Sequence, residues 1–414
     1  MPLTGGATDK LGGRYETLWT VFCMLDVMDD RAESVRLEPP GEEGEGVEFR
    51  IRRGNSREYH QVKRQHGAEG RWTLNELGSR MVLSSFMNKL NDPATLCAFV
   101  SSHPAYQLSE LAERARGAEF WDEFEREFLA PQRQSRDFAM LCSLWGNSPR
   151  EEAFERLRRI HVRTMDERSL SEIVEVRLQA LVDGNPSTAS DVLFRLVLDR
   201  VHEEVTAYEM WRRLEERGLQ RRDWANDTHV LARLDEANAR YLSPIRNELI
   251  SGASIPREGT RAALTSLASQ NGRRGVLLSG EAGVGKSGVV LQVLEELHEK
   301  KIPVLAFRVD RLDPTSLPND IGKQLDLPGS PVAVLGGVAQ GRNCVLVIDQ
   351  LDAVSLASGR HPQFFDGVDE LIRQAEAYPR MRLLVACRNF DLENDHRLRR
   401  LANDRGVLDE CCEV

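Results

Sequence analysis

The spacing of hydrophobic positions changes character twice along the chain. Over residues 1–130 helical and strand spacings alternate. Tyr15, Leu18, Trp19, Phe22 and Leu25 recur at intervals of three and four, which predicts a helix entered from Gly12-Gly13. Val47-Glu48-Phe49-Arg50-Ile51 alternates strictly, as a half-buried strand does. Arg53-Gly54-Asn55-Ser56 carries turn residues, and Tyr59-His60-Gln61-Val62-Lys63 reads as the returning strand. A further helix is predicted near 74–90 and a buried strand over 96–100.

Over 131–250 the spacing is almost purely helical. Leu170, Val174, Leu178 and Leu181 form one stripe; Val192, Leu193, Leu196, Val197 and Val201 form another. Thr206 with Glu209 has capping-box spacing, and Gly218 sits where such a helix stops. No chemical constellation occurs here, so the segment is expected to be a helical connector. Ser251-Gly252-Ala253-Ser254-Ile255-Pro256 breaks the run. Beyond it the order is strand, glycine loop, helix, strand, then two further strand signals, which predicts an α/β module on a mostly parallel sheet. The expected organisation is an N-terminal α/β domain (1–130), a central helical region (131–250) and a C-terminal parallel-sheet domain (251–414).

Composition narrows the setting. With 414 residues, 41% of them hydrophobic, the chain can bury more than one core. No apolar run reaches membrane-spanning length and the first residues lack the order of a signal peptide, so a cytoplasmic protein with no membrane partner is expected. Seven scattered cysteines argue against a disulfide framework or a zinc site, and the adjacent Cys411-Cys412 pair reads as incidental rather than redox-active. The net charge of −10 speaks against general nucleic-acid binding. Yet between Arg50 and Arg64 stand Arg50, Arg52, Arg53, Arg57, Lys63 and Arg64 against Glu58, which reads either as a local polyanion site or as a solvated strand face.

The first chemical signal is Gly280-Glu281-Ala282-Gly283-Val284-Gly285-Lys286-Ser287. An apolar strand (275–279) runs into it and an amphipathic helix (287–300) leaves it. The glycines let backbone N–H groups converge on phosphate, Lys286 would reach the β- and γ-phosphates of ATP, and Ser287 would ligate Mg²⁺. Cys344-Val345-Leu346-Val347-Ile348-Asp349 is an apolar strand ending in an acid, and Asp349 suits the Mg²⁺-holding role. Gln350 stands where many NTPases carry a water-polarising glutamate, with Asp352 close by as a substitute. A third strand (382–388) ends in Arg388, read as a γ-phosphate sensor or an ordinary surface arginine. The glycine loop, the Val-Ile-Asp-Gln-Leu-Asp run and Ala386-Cys387-Arg388-Asn389-Phe390-Asp391-Leu392 resemble the STAND class of signal-transducing NTPases. That resemblance implies ATP-controlled homo-oligomerisation on activation, with a phage protein as trigger in full-length relatives. It also implies that the chain is truncated before the winged-helix and repeat sensor regions of the class.

The second signal joins Glu48 to Gln61-Val62-Lys63. Alternation puts Gln61 and Lys63 on one face, and hairpin pairing would bring Glu48 beside them. A carboxylate and an amide oxygen suit Mg²⁺, and a lysine beside it offsets charge on a phosphate. Arg50, Arg52, Arg53 and Arg64 would attract a phosphate backbone. His60 and His66 are candidate bases, with His60 on the Val62 face and better suited to packing. The acid…Gln-x-Lys arrangement resembles the PD-(D/E)xK nucleases. With Gly13-Arg14-Tyr15-Glu16 and Phe99-Val100-Ser101 it is similar to the double-stranded DNA endonuclease domain of CBASS effectors and antiviral STAND proteins. The resemblance implies a restriction-endonuclease-like fold and a catalytic set of Glu48, Gln61, Lys63 and the helix residue Glu16, with Glu45 competing for the metal role of Glu48. The expectation is an ATP-regulated, Mg²⁺-dependent double-stranded DNA endonuclease in antiphage defence. The rivals are a non-catalytic ATP-binding, DNA-associated regulator and an inactive remnant.

Overall fold

A computed structural model describes residues 5–64, 70–247, 258–268, 274–359, 361–403 and 408–413. The chain divides into two compact units: Met1–Glu175 with Gly184–Gln220, and Val176–Asp183 with Arg221–Val414. Both are mixed α/β structures.

The first unit holds strands β1 (Ser34–Leu37), β2 (Phe49–Arg53), β3 (Ser56–Lys63), β4 (Thr95–Ser101) and β5 (Ile160–Thr164). β7 (Glu204–Thr206) completes a six-stranded sheet in the order β5-β4-β3-β2-β1-β7, while β6 (Val182–Asp183) and β8 (Gln220–Arg221), where the chain passes from one unit to the other, form a separate two-stranded ribbon. β2 and β3 form an antiparallel hairpin in which Arg53 faces Ser56. Gly54 closes the turn at φ +56, a left-handed conformation that a side chain resists. β3, β4 and β5 run parallel.

Side-chain alternation on β3 serves both layers. Tyr59 joins a core with Phe86, Phe99, Phe138 and Phe154, contributed by β4 and the helices between Leu74 and Leu157, and with Trp72 just ahead of them. His60 turns the other way and accepts a hydrogen bond at Nδ1 from Trp19 Nε1 (3.1 Å) on the helix Gly5–Met28. Each fully buried Phe contributes about 1.5–3 kcal/mol, so β3 is held from both faces and its register is fixed.

Several expectations change. Gly12-Gly13 lies inside the first helix rather than ahead of it. The 74–90 helix is two, Leu74–Ser79 and Val82–Lys89, broken where Met81 takes φ +60. The stretch 131–250 is mostly helical but also supplies β5 and β7 to the sheet. Phe49, Arg50 and Ile51 are all buried, so β2 is not half-exposed. Thr206 caps the helix Ala207–Glu215 without a side-chain bond, and Glu209 pairs with Arg200 instead of closing a capping box. The expected break at 251–256 and the candidate base His66 lie outside the described residues.

The second unit contains β9 (Gly275–Ser279), β10 (Val304–Arg308), β11 (Cys344–Asp349), β12 (Met381–Ala386) and β13 (Leu408–Glu413). All neighbours are parallel, in the order β10-β11-β12-β9-β13. β9 and β11 are buried throughout, which is why they read as continuous apolar runs. The helix Lys286–Glu299 buries Val289, Val290, Val293, Leu294 and Leu297 against Val276, Leu278, Val345 and Val347. Tyr241 and Ile245 of the helix Thr228–Asn247 join the same core. Because β12 lies between β9 and β11, the chain leaving it emerges between the glycine loop and Asp349.

Candidate functional site

In the first unit the β2–β3 hairpin assembles one cluster. Glu48 stands just ahead of β2, where its N–H donates to the His60 carbonyl (2.9 Å). Its carboxylate then reaches three donors. Oε1 accepts from Gln61 Nε2 and from Lys63 Nζ, each at 2.8 Å, and Oε2 accepts from the Val62 N–H at 2.7 Å. Gln61 and Lys63 share a face, as two-residue periodicity requires. Glu16, on the first helix, lies in electrostatic range of both Lys63 and Glu48. Glu45 stays outside this contact: its carbonyl accepts from Ser85 Oγ (2.7 Å) and Lys89 Nζ (2.8 Å).

Burial dominates the electrostatics. It pushes the Glu48 carboxyl up to about 7, with the Lys63 ammonium opposing, and it raises Glu16, again against Lys63. Burial favours the protonated form of both acids, so a cation bound there would displace their protons as it takes up their oxygens. The donors are oxygens, which suits Mg²⁺. Among the described residues no group of three or more His, Cys, Asp or Glu is spaced to hold a metal. Mg²⁺ commonly takes one or two carboxylates and completes its shell with water, so Glu48 with Gln61 remains a fitting pair.

The arginines do not form the open basic face expected of them. Arg50 is buried and pairs with Glu43 (2.5 Å) and Glu204 (3.7 Å). Arg52 pairs with Glu33, Arg53 with Asp26 and Glu58, and Arg64 with Glu167. The partners come from the hairpin itself (Glu58) and from other segments, so these four charges are offset in the fold while Arg57 stays exposed. His60 is likewise structural: it stacks on Phe49 (4.5 Å between ring centres), and burial pushes it down to about 4.

A groove of about 540 Å³ opens beside Glu48, lined among others by Glu38, Glu45 and His202. The sequence gives no local sign of Glu38 or His202, since the fold joins them across 164 positions.

In the second unit, loop 280–285 links β9 to the helix Lys286–Glu299. Gly283 (φ +83) and Gly285 (φ +105) take left-handed conformations that a side chain would strain. Glu281 and Ala282 are exposed, while Val284 and Ser287 are partly buried. Lys286 Nζ donates to the carbonyls of Gly280 and Glu281, each at 2.9 Å. The Asn389 N–H donates to the Gly280 carbonyl (3.3 Å), which ties the chain after β12 to the loop.

Asp349 ends β11 fully enclosed. Oδ2 accepts from the Tyr241 hydroxyl (3.0 Å) and Oδ1 from the Gln350 N–H (2.8 Å). Burial raises its carboxyl, with Tyr241, the Gln350 N–H and Arg308 opposing. The carboxylate oxygens suit Mg²⁺ chemically, and an ion at Oδ2 would have to displace the hydroxyl. Asp352 and Arg388, expected separately at the nucleotide, pair with each other at 3.2 Å. Burial raises Asp352, against the Arg388 guanidinium. Tyr241 escaped the sequence reading because a tyrosine at helical spacing looks like core.

No helix among the described residues is long and apolar enough to cross a membrane. No protein-family model matches the chain, and no curated protein matches it. Among solved structures, the Cap4 SAVED/CARF-domain containing receptor of Moraxella osloensis is 13% identical, covering 91% of this chain and 70% of its own, with a TM-score of 0.34. The Acinetobacter baumannii Cap4 SAVED/CARF-domain containing receptor with the cyclic trinucleotide 2'3'3'-cAAA is 8% identical over 82% of this chain and 68% of its own, also at 0.34. Overlap at that level assigns neither fold nor activity.

Proposed function

We propose that the first unit is a Mg²⁺-dependent endonuclease for double-stranded DNA, and that the second binds ATP and governs it, in the service of antiphage defence. The observation that carries the reading is the convergence of Glu48, Gln61 and Lys63, with Glu16 in range, at the root of one hairpin. Mg²⁺, when bound, supplies positive charge at the phosphate and a water that ionises more readily. Glu48 and Gln61 would hold it, and Glu16 would add negative charge on the helix side. Lys63 would release Glu48 and turn its ammonium toward the phosphate, offsetting the charge that builds there. In the second unit Lys286 would exchange two backbone carbonyls for phosphate oxygens, while Ser287 and Asp349 would hold nucleotide-bound Mg²⁺.

Linear double-stranded DNA incubated with the full chain, Mg²⁺ and ATP tests this. Wild type should cut, Lys63→Ala should not, and Lys286→Ala should lose ATP binding by calorimetry. Equal survival of the DNA with wild type and Lys63→Ala removes the nuclease reading. A second reading, an ATP-binding regulator without nuclease activity, is favoured by one observation: Arg50, Arg52, Arg53 and Arg64 are all engaged with acids. Nucleotide binding without cleavage under every condition would select it.

A further inference from the structure

The groove beside Glu48 has a second wall, the turn that leads into β7. The His202 N–H donates to the Leu37 carbonyl (2.9 Å), and the Leu37 N–H donates to the Glu203 carbonyl (3.1 Å). His202 (φ +69) and Glu38 (φ +38) both take left-handed backbone conformations. The imidazole Nδ1 lies 2.6 Å from the Glu38 carbonyl oxygen. A carbonyl has no proton to give, so Nδ1 carries the proton and donates it. In the neutral ring the proton-free nitrogen is therefore Nε2, on a side chain that lines the groove with Glu48. His202 is exposed, unlike the buried His60. The charged groups around it are Glu38, Glu45 and Glu48 in the groove, with Arg200 and Glu203 on its own turn, where they pair at 2.7 Å.

We propose that His202 is the general base of the Glu48 site; this rests on the nuclease reading above. Nε2 takes one proton from a water as that water's oxygen bonds to phosphorus. The bond from phosphorus to the leaving sugar oxygen breaks, and that oxygen takes a proton from solvent. His202 then returns its own proton to solvent, so one water is consumed per cut. The carbonyl of Glu38 holds the ring in the tautomer this step needs.

The test compares the full chain with His202→Ala and His202→Asn on linear double-stranded DNA with Mg²⁺ and ATP. Asparagine tolerates positive φ and its side-chain N–H₂ can still donate to Glu38, so this variant keeps the turn and lacks the base. Both variants should cut about 100-fold more slowly. Added imidazole should restore part of the rate to His202→Ala. A wild-type rate in His202→Asn overturns the proposal. So does a slower His202→Ala that ignores imidazole, which marks a structural role. If wild type itself does not cut, the nuclease reading has failed and the base has no reaction to serve.

Discussion

Tyr241 donates its hydroxyl to Oδ2 of Asp349 at 3.0 Å, joining two residues 108 positions apart inside the second unit. The bond occupies an oxygen that nucleotide-bound Mg²⁺ would need, and both side chains are buried. Tyr241→Phe leaves the ring in the core and removes the donor. It should lower nucleotide-free stability by about 1–3 kcal/mol, the usual cost of stranding a buried polar group. It should also tighten Mg²⁺·ATP binding, because the competing hydroxyl is gone. Denaturant titration reads the first effect and calorimetry the second; unchanged affinity would mean the hydroxyl does not stand in the way.

Glu48 ties stability to pH. Folded, it keeps its proton up to about 7, whereas its ordinary value is 4.5. Across that window the folded chain binds more protons than the unfolded one, so stability falls as pH rises from 4.5 to 7. Glu48→Gln should flatten the fall and abolish cleavage. Urea midpoints taken below and above the window, for wild type and variant, give the comparison.

Gly46 holds the approach to Glu48. It sits at φ +66, and a Cβ there would stand 2.8 Å from Ser85 Cβ and 3.8 Å from Gln61 Oε1. Gly46→Ala meets a conformational cost of about 1–3 kcal/mol before the clash is counted. Thermal unfolding should move down by several degrees, and DNA cleavage should drop as the loop carrying Glu48 shifts.

The ion pair between Asp352 and Arg388 is open to solvent on one side. The Arg388 side chain is 44% exposed, so solvent screens it. A double-mutant cycle with Asp352→Asn and Arg388→Ala should give about 1 kcal/mol or less in the absence of nucleotide. The coupling should shrink further with ATP as the guanidinium turns to phosphate; a coupling unaffected by ATP would keep Arg388 out of the site.

What the sequence reveals here follows the range of the forces involved. The strand, glycine loop and helix of 275–299 are legible because each is a local pattern with its own period. The β2–β3 hairpin is legible because Gly54-Asn55 marks its turn. Ile160-His161-Val162-Arg163-Thr164 alternates as a strand should, yet it lies among helices and its pairing with β4 is non-local. β7 has three residues, too few to show a period. The fate of the arginines depends on acids such as Glu43, Asp26 and Glu167, which only folding brings near. The same holds for Tyr241 on Asp349 and His202 on Glu38.

The pairing of Arg50, Arg52, Arg53 and Arg64 with acids has a consequence for encounter. Attraction between a protein and duplex DNA normally comes from releasing cations condensed on the phosphates, one for each basic side chain offered. Here those four side chains already pair with acids, and each chain brings a net charge of −10. One copy meeting DNA would therefore release few counterions and hold weakly. Its affinity would change little with salt, and lasting engagement would require several copies bound to the same duplex at once, so that many weak contacts act together.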